Sequence, residues 1–505
     1  MPLPRDFEKV LIVAGVAQSK PLDRGKTNRM ANNNHPIQRV AVIGAGAAGL
    51  AMLKALREEG LEPVAFEQSQ EVGGVWKYDE SMPGGGGPAY RSLTTNTSAR
   101  MLAFSDFPLP RDLPDFPARS DVLQYLNDYA DYFDLRTCIQ FNTLVEKLEP
   151  TDDHRWALQL QSGSSLPKIF DAVVVASGFY REPRWPALPG LDTFTGRVIH
   201  SSMYQGPEDF AGQRVVVIGA GSSGSDIAAE ISESAAHVEL AAKSGVWFAP
   251  HYLRGRPSDY GLTRLSQLVP LRLKTRFVHQ SLLKIYQEHG LVVETLVLPP
   301  FDLARSRVTP GTRILAQLRS GAVQLKPGVD RLEPDGVIYV DGTRSPADGL
   351  VLATGYTVRF PFLPEAYNRV AELYRHVFPA DGSSLAFIGM NGVTGAAYPV
   401  SEMQARWVAR VFSGAVALPP PGTRRRAIQA HVTMHQQRGT PPTRVDRVAY
   451  LEELAGLIGV RPKWWRHLNL LLVLLMGPLV AAQYRLDGPG KTDRAEDILN
   501  GRWSR

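Results

Sequence analysis

The chain carries a single cysteine, Cys138, among 505 residues. That excludes an intrachain disulfide framework, a Cys-x-x-Cys redox pair and a thiolate zinc site, and it points to a reducing, cytoplasmic compartment. No His-Glu-x-x-His run occurs and the 11 histidines show no ligand spacing, so no metal site is expected. Charge of one sign is scarce as well. Against 56 Lys and Arg stand 50 Asp and Glu, a net of +6 with no long basic tract, so no nucleic-acid partner is expected. Long apolar runs are also wanting. Leu470–Ala482 gives thirteen apolar residues, Gly477 and Pro478 included, short of the ~20 that span a bilayer. With Trp464, Trp465, Lys463 and Arg466 before it, the segment 464–486 has two readings: a buried core or channel wall, or an anchor at a membrane surface.

What is present is the composition of a globular protein, 44% apolar and 21% charged, too long for one core. Residues 1–37 read as a loose extension. Val10–Ala17 is apolar, but Arg5, Asp6, Glu8 and Lys9 before it cancel in charge, unlike a signal peptide. Two later segments repeat one pattern. Gln38–Ile43 is predicted as a strand, Gly44-Ala-Gly46-Ala-Ala-Gly49 as a turn, Leu50 to about Glu59 as a helix, and Pro63–Glu67 as a second strand. Arg214–Ile218, Gly219-Ala-Gly221-Ser-Ser-Gly224, Ser225–Ser232 and His237–Ala242 repeat it. Strand, glycine turn, helix and strand form the unit of a right-handed parallel crossover. Runs at 172–178 and 350–355 bracket the second copy. The fold class is therefore α/β with two Rossmann-like domains, one inserted into the other. The expected boundaries are 38–205 and 346–505 for the outer domain and 206–345 for the inserted one. Pro83–Pro88, with four glycines, and Pro419–Pro421 are read as loops.

A glycine turn of this kind places a pyrophosphate on the free N–H groups of a helix start. The first glycine permits the turn, the second lets the backbone approach the ligand, and the third lets helix meet strand. The residue ending the second strand separates the two sites. Glu67, 23 positions after Gly44, can accept from ribose hydroxyls and would repel a 2′-phosphate. The same offset from Gly219 reaches Ala242, followed by Lys243, a cation suited to a 2′-phosphate. The first site therefore suits FAD or NAD and the second a dinucleotide with a ribose phosphate; the combined reading is FAD plus NADPH.

Between the two turns, Phe194-Thr-Gly196-Arg-Val-Ile-His200-Ser-Ser-Met-Tyr204 fits FxGxxxH followed by three residues and an aromatic. Together with Glu71-Val-Gly73-Gly74-Val75-Trp76, Tyr90-Arg-Ser-Leu-Thr-Thr-Asn96, Ala353-Thr-Gly355-Tyr356, Gln404-Ala-Arg-Trp407 and Gln483-Tyr-Arg-Leu-Asp-Gly-Pro-Gly490, it resembles the flavin-containing monooxygenases from about residue 38 onward. The resemblance implies an NADPH- and O₂-dependent enzyme. It would oxygenate a nitrogen or sulfur of a small molecule through a C4a-hydroperoxyflavin. Ketone oxygenation of the Baeyer–Villiger type is the alternative, disfavoured by Tyr204-Gln205 where those enzymes often carry Trp then Pro or Asp. A disulfide-reductase-like flavoprotein needs paired cysteines, and a non-catalytic dinucleotide sensor is the remaining reading.

By the same resemblance, Gly44, Ala45, Gly46, Ala48 and Gly49 would hold the FAD pyrophosphate and Glu67 its ribose. Gly74, Val75 and Trp76 would lie near the flavin. Asn96 would be the active-site amide, flanked by Thr95 and Thr97. Gly219, Gly221, Ser223, Gly224, Ser225 and Asp226 would hold NADPH phosphates, and Lys243 stands where the family usually has arginine. His200 suits a structural or conformational role between domains. Peripheral membrane contact and homo-oligomer formation are left open.

Overall fold

The computed structural model describes residues 36–502 apart from 82–86, 162–165, 292–295, 297, 307, 382–383 and 394. The reading of the N-terminal extension, and most of that of the loop at 83–88, therefore lies outside the described residues. In chain order, the framework starts with β1 (Arg39–Ile43), α1 (Ala47–Glu58), β2 (Glu62–Phe66), β3 (Ile139–Gln140) and β4 (Ala172–Val175). A second group follows: β5 (Arg197–His200), β6 (Arg214–Ile218), α2 (Ser222–Ile231), β7 (His237–Ala241), α3 (Leu271–Glu288), α4 (Thr312–Ser320), β8 (Val323–Lys326) and β9 (Gly349–Leu352). The chain then returns with β10 (Leu385–Phe387), α5 (Tyr398–Phe412), α6 (Pro421–Arg438) and α7 (Arg447–Ile458).

Two five-stranded sheets result, in the orders β10-β4-β1-β2-β3 and β8-β7-β6-β9-β5. Every neighbouring pair in both is parallel. The strand sequences explain this. Val40–Ile43, Ala172–Val175 and Val215–Val217 are buried throughout, as sheets covered on both faces require, so alternation is absent and the runs are continuously apolar. In the first unit α1 packs against α5 over one core that includes Leu50, Leu53, Val408 and Trp407. In the second, α2 and α4 cover the sheet through Ile227, Ile231, Ile314 and Leu315.

The strand pairing moves the expected boundary. β5 and β9, assigned above to the outer domain, belong to the second sheet: Val215 pairs with Gly349, and Gly349 with Arg197. A short apolar strand does not reveal which sheet it joins; only the pairing does. The crossings lie further out, where Glu182–Pro183 and Tyr356–Thr357 pair antiparallel. Arg184 N–H donates to Gly355 O at 2.9 Å and Thr354 Oγ1 donates to Arg184 O at 2.6 Å, locking the two connections together. The inserted unit thus runs from about 184 to 355. His200, fully buried at the end of β5, joins this lock, with Nε2 3.1 Å from Gly355 O.

Near the C-terminus the apolar run forms α-helix only over Leu471–Met476, because Gly477-Pro478 stops it, with short 3-10 turns at Leu468–Leu470 and Ala481–Arg485. Leu470, Leu474 and Leu479 pack inward, while Leu472 is 71% exposed and Trp465, Leu468 and Met476 also face outward. Among the described residues no helix is long and apolar enough to cross a membrane. Arg485 anchors the following segment. Buried, it bonds Ser105 Oγ at 2.7 Å and pairs with Glu402 at 3.2 Å, Asp106 at 3.3 Å and Glu58 at 3.4 Å.

Candidate active site

Each sheet reverses its strand order beside a glycine turn, at β1/β4 and at β6/β9, where parallel sheets open a crevice at their carboxyl ends. Gly44 and Gly219 have φ of +103° and +112°, so glycine is required at both. A side chain on either would run into the facing backbone, Ala176 in one case and Ala353 in the other. One on Gly49 would strike Gly44 O, and one on Gly224 would strike Gly219 O. The helices that follow begin at Ala47 and Ser222 without a side-chain cap. Their first N–H groups are therefore available to an anion, the arrangement that takes a pyrophosphate. Glu67 accepts from Ala45 N–H at 2.8 Å and from Ser69 N–H and Oγ at 2.9 and 2.7 Å. A carboxylate has about four acceptor positions, so room for a ribose hydroxyl is left. Both turns fit a dinucleotide.

A cavity of about 3940 Å³ runs between the units. It brings together Val75, Trp76, Thr95, Asn96, Thr97, Gly219, Gly221, Ser223, Gly224 and Lys243. Gly44, Ala45, Gly46, Ala48, Gly49 and Glu67 do not line it, and neither does Gly74. Gly46 and Gly74 approach so closely that a Cβ on Gly74 would lie 3.0 Å from Gly46 Cα. Lys243 is exposed at the end of β7, beside Gly328, and faces the cavity.

Asn96 is carried by the first unit and held by the second. His251 Nε2 lies 2.8 Å from Asn96 Oδ1, so the ring donates there. Thr312 Oγ1, 3.2 Å from Nδ1, then donates to the ring's other nitrogen and accepts from His251 N–H at 2.9 Å. Asn96 also bonds the Asp226 carboxyl, which accepts from Tyr90 OH at 3.3 Å. One turn along α2, Glu230 accepts from Ser92 Oγ at 2.7 Å. Asp226 and Glu230 share a helix face by their spacing of four, and that face receives the segment 90–96. Burial pushes the Asp226 carboxyl up to about 7, against the lowering pull of Tyr90, Arg313 and Asn96. Burial likewise pushes the His251 ring below the usual histidine range, which keeps it neutral with one N–H to give.

Two expected phosphate contacts are redirected. Ser225 is fully buried and its hydroxyl donates to Gly221 O at 2.9 Å and Ser222 O at 3.0 Å, back into its own helix. Asp226 points to Tyr90 and Asn96, away from the turn, because the helix has rotated past the ligand side by that position. His251 and Thr312 escaped sequence reasoning, and Tyr90 entered it only as the start of a motif, without a role. The contact between His251 and Asn96 spans 155 positions and belongs to no motif.

Two parallel sheets, each with a glycine turn opening an uncapped helix, and a shared cavity between them define a two-dinucleotide oxidoreductase. The family model described as flavin-binding monooxygenase-like matches residues 37–505. Flavin-containing monooxygenase 5 of Oryctolagus cuniculus is 37% identical over 498 residues, 92% of this chain and 91% of the relative. Dimethylaniline monooxygenase [N-oxide-forming] 2 of Pan troglodytes is 35% identical over 490 residues, with 92% and 91% covered. Among solved structures, S-allyl-L-cysteine S-oxygenase from Allium sativum superposes with a TM-score of 0.64 at 26% identity, covering 85% of this chain and 90% of that one. The chain belongs to the flavin-binding monooxygenase-like family, whose cofactors are FAD and NADPH.

Proposed function

We propose that this enzyme oxygenates a soft nitrogen or sulfur atom of a small molecule, with FAD on the first unit and NADPH on the second. Bound FAD supplies the two-electron chemistry that activates O₂. Overall, NADPH, a proton, O₂ and the amine or sulfide give NADP⁺, water and the N- or S-oxide. The observation that carries this reading is Asn96, an amide fixed by His251 and Asp226 in the cavity between the two units. It orients the reacting groups by hydrogen bonds and needs no acid/base triad. Gly44 to Gly49 and Glu67 would hold FAD, while Gly219, Gly221, Ser223 and Gly224 would hold the pyrophosphate of NADPH. Lys243 would meet its 2′-phosphate as a point charge rather than a fork. Names of relatives support the substrate atoms, an N-oxide-forming enzyme and an S-oxygenase among them.

The test is anaerobic addition of NADPH to the yellow protein, then oxygen with a tertiary amine, a thioether or a cyclic ketone. Flavin bleaching followed by N-oxide or sulfoxide is expected; lactone as the main product would overturn the assignment. Lys243→Ala should weaken NADPH more than NADH, and equal losses would remove the phosphate contact. Peripheral membrane contact belongs to the same proposal. Trp465, Leu468, Leu472 and Met476 form an exposed apolar edge beside Lys463 and Arg466. Co-sedimentation with phosphatidylserine-containing vesicles that Leu472→Ser weakens would support it, and no vesicle binding would end it.

A further inference from the structure

Arg447 opens α7 and is 2% exposed, yet Nε, Nη1 and Nη2 have no hydrogen-bond partner. Among the described residues no other buried arginine leaves all three nitrogens unmet. A buried guanidinium without partners is strongly unfavourable, and a cation in the first turn of a helix adds to the penalty. The neighbouring acids do not answer it. Asp446 caps α7 by accepting from Ala449 N–H at 3.0 Å. Asp259 accepts from Ser98 N–H and Oγ at 2.8 and 3.0 Å and keeps its other oxygen unpaired. Tyr484 OH donates to Glu452 at 2.8 Å.

The place of this side chain gives it meaning. Arg447 lines the same cavity as Asn96 and lies beside Leu262 and Gly395. Gly395 stands on the loop beyond the carboxyl end of β10, where parallel sheets receive ligands. That loop is tied to the start of α7 by the pairing of Gly392–Val393 with Arg444–Val445. Asp259 in turn holds Ser98, two residues from Asn96. We infer that Arg447 is a specificity-determining residue that receives the carboxylate of the substrate, so that the natural substrates are thioethers or amines bearing a carboxylate. The inference rests on the oxygenase reading and adds the substrate class. A guanidinium offers paired donors that match a carboxylate. The unpaired oxygen of Asp259 nearby favours a monoanion over a phosphate dianion.

The matched pair para-(methylthio)benzoate and para-(methylthio)benzamide isolates the charge. With the FAD-loaded enzyme and NADPH, kcat/KM for the benzoate should exceed that for the amide about 10–100-fold, chiefly in KM. In Arg447→Met the ratio should fall to about one, and Arg447→Lys should restore part of it. A ratio near one in the native enzyme, or one that survives Arg447→Met, overturns the inference while sulfoxide formation leaves the oxygenase reading intact. If neither compound is oxygenated, the binding arm still decides: para-toluate titrated into oxidised holoenzyme should perturb the flavin spectrum in the native enzyme and not in Arg447→Met. Equal titrations in both, or a flavin spectrum already altered in Arg447→Met before any titrant, would assign the guanidinium to the flavin instead.

Discussion

The two glycine turns allow each cofactor to be removed separately. In Gly224→Ala the new methyl would stand 3.0 Å from both Gly219 C and Ala353 Cβ, and closer still to Gly219 O. Carbon atoms prefer ~3.5–4.0 Å, so the turn must open by about 0.5–1 Å. Gly219 at φ +112° has no slack to absorb this, since Ala353 blocks it from the other side. A shift of about 1 Å in a ligand-positioning backbone can lower rates ~100-fold, so a rise in the NADPH Kd of at least ~10-fold is expected. The first turn is untouched, so flavin should stay bound. The mirror variant Gly49→Ala would place its methyl 2.9 Å from Gly44 C and should strip FAD. The assay is flavin absorbance per polypeptide, followed by stopped-flow bleaching against NADPH concentration. Gly224→Ala that binds NADPH within twofold of native, or that loses flavin instead, would refute the assignment of turns to cofactors.

Three further outcomes follow from the site and its supports. Asn96→Ala should keep flavin and its reduction by NADPH but lose about 10–100-fold in product per NADPH consumed, with His251→Phe losing less; product yield unchanged in both removes the amide from the chemistry. Asp226, raised to about 7 by burial, binds its proton more tightly folded than unfolded. Its contribution is complete below pH 4 and falls by up to about 1.4 kcal/mol per pH unit until pH 7. Asp226→Asn should flatten the denaturation midpoint between pH 5 and 7, and an unaltered slope contradicts the shift. Arg485→Met leaves Glu58, Asp106 and Glu402 without their shared cation; a loss of about 3–5 kcal/mol is expected, and a native urea midpoint would argue against it.

The parts of the fold legible in sequence were those with local causes. Gly44 and Gly219 announce themselves because positive φ admits few other residues, and the buried strands because a two-faced sheet demands unbroken apolar runs. Glu67 follows from its fixed distance along one crossover. What stayed hidden depends on pairing between distant segments. Nothing in Gly349–Leu352 tells that it lies against β6 rather than in the outer sheet. The inward turn of the Ser225 hydroxyl is not legible either, because spacing marks a helix start but not the rotation of each side chain around it. His251 and Arg447 are single residues whose partners, or lack of partners, appear only once distant segments have folded together; the His251–Asn96 contact alone spans 155 positions.

The antiparallel pair Glu182–Pro183 and Tyr356–Thr357 brings the entrance and exit of the inserted unit side by side. Such a doorway makes the unit a cassette: a cut at each side leaves two ends already within hydrogen-bonding distance, ready to take a short loop or a homologous module. On the proposed assignment, exchanging that cassette between relatives would transplant the preference for one pyridine nucleotide over another, while Arg447 and Asn96 stay with the host and meet the donor's counterparts of Leu262, Asp259 and His251.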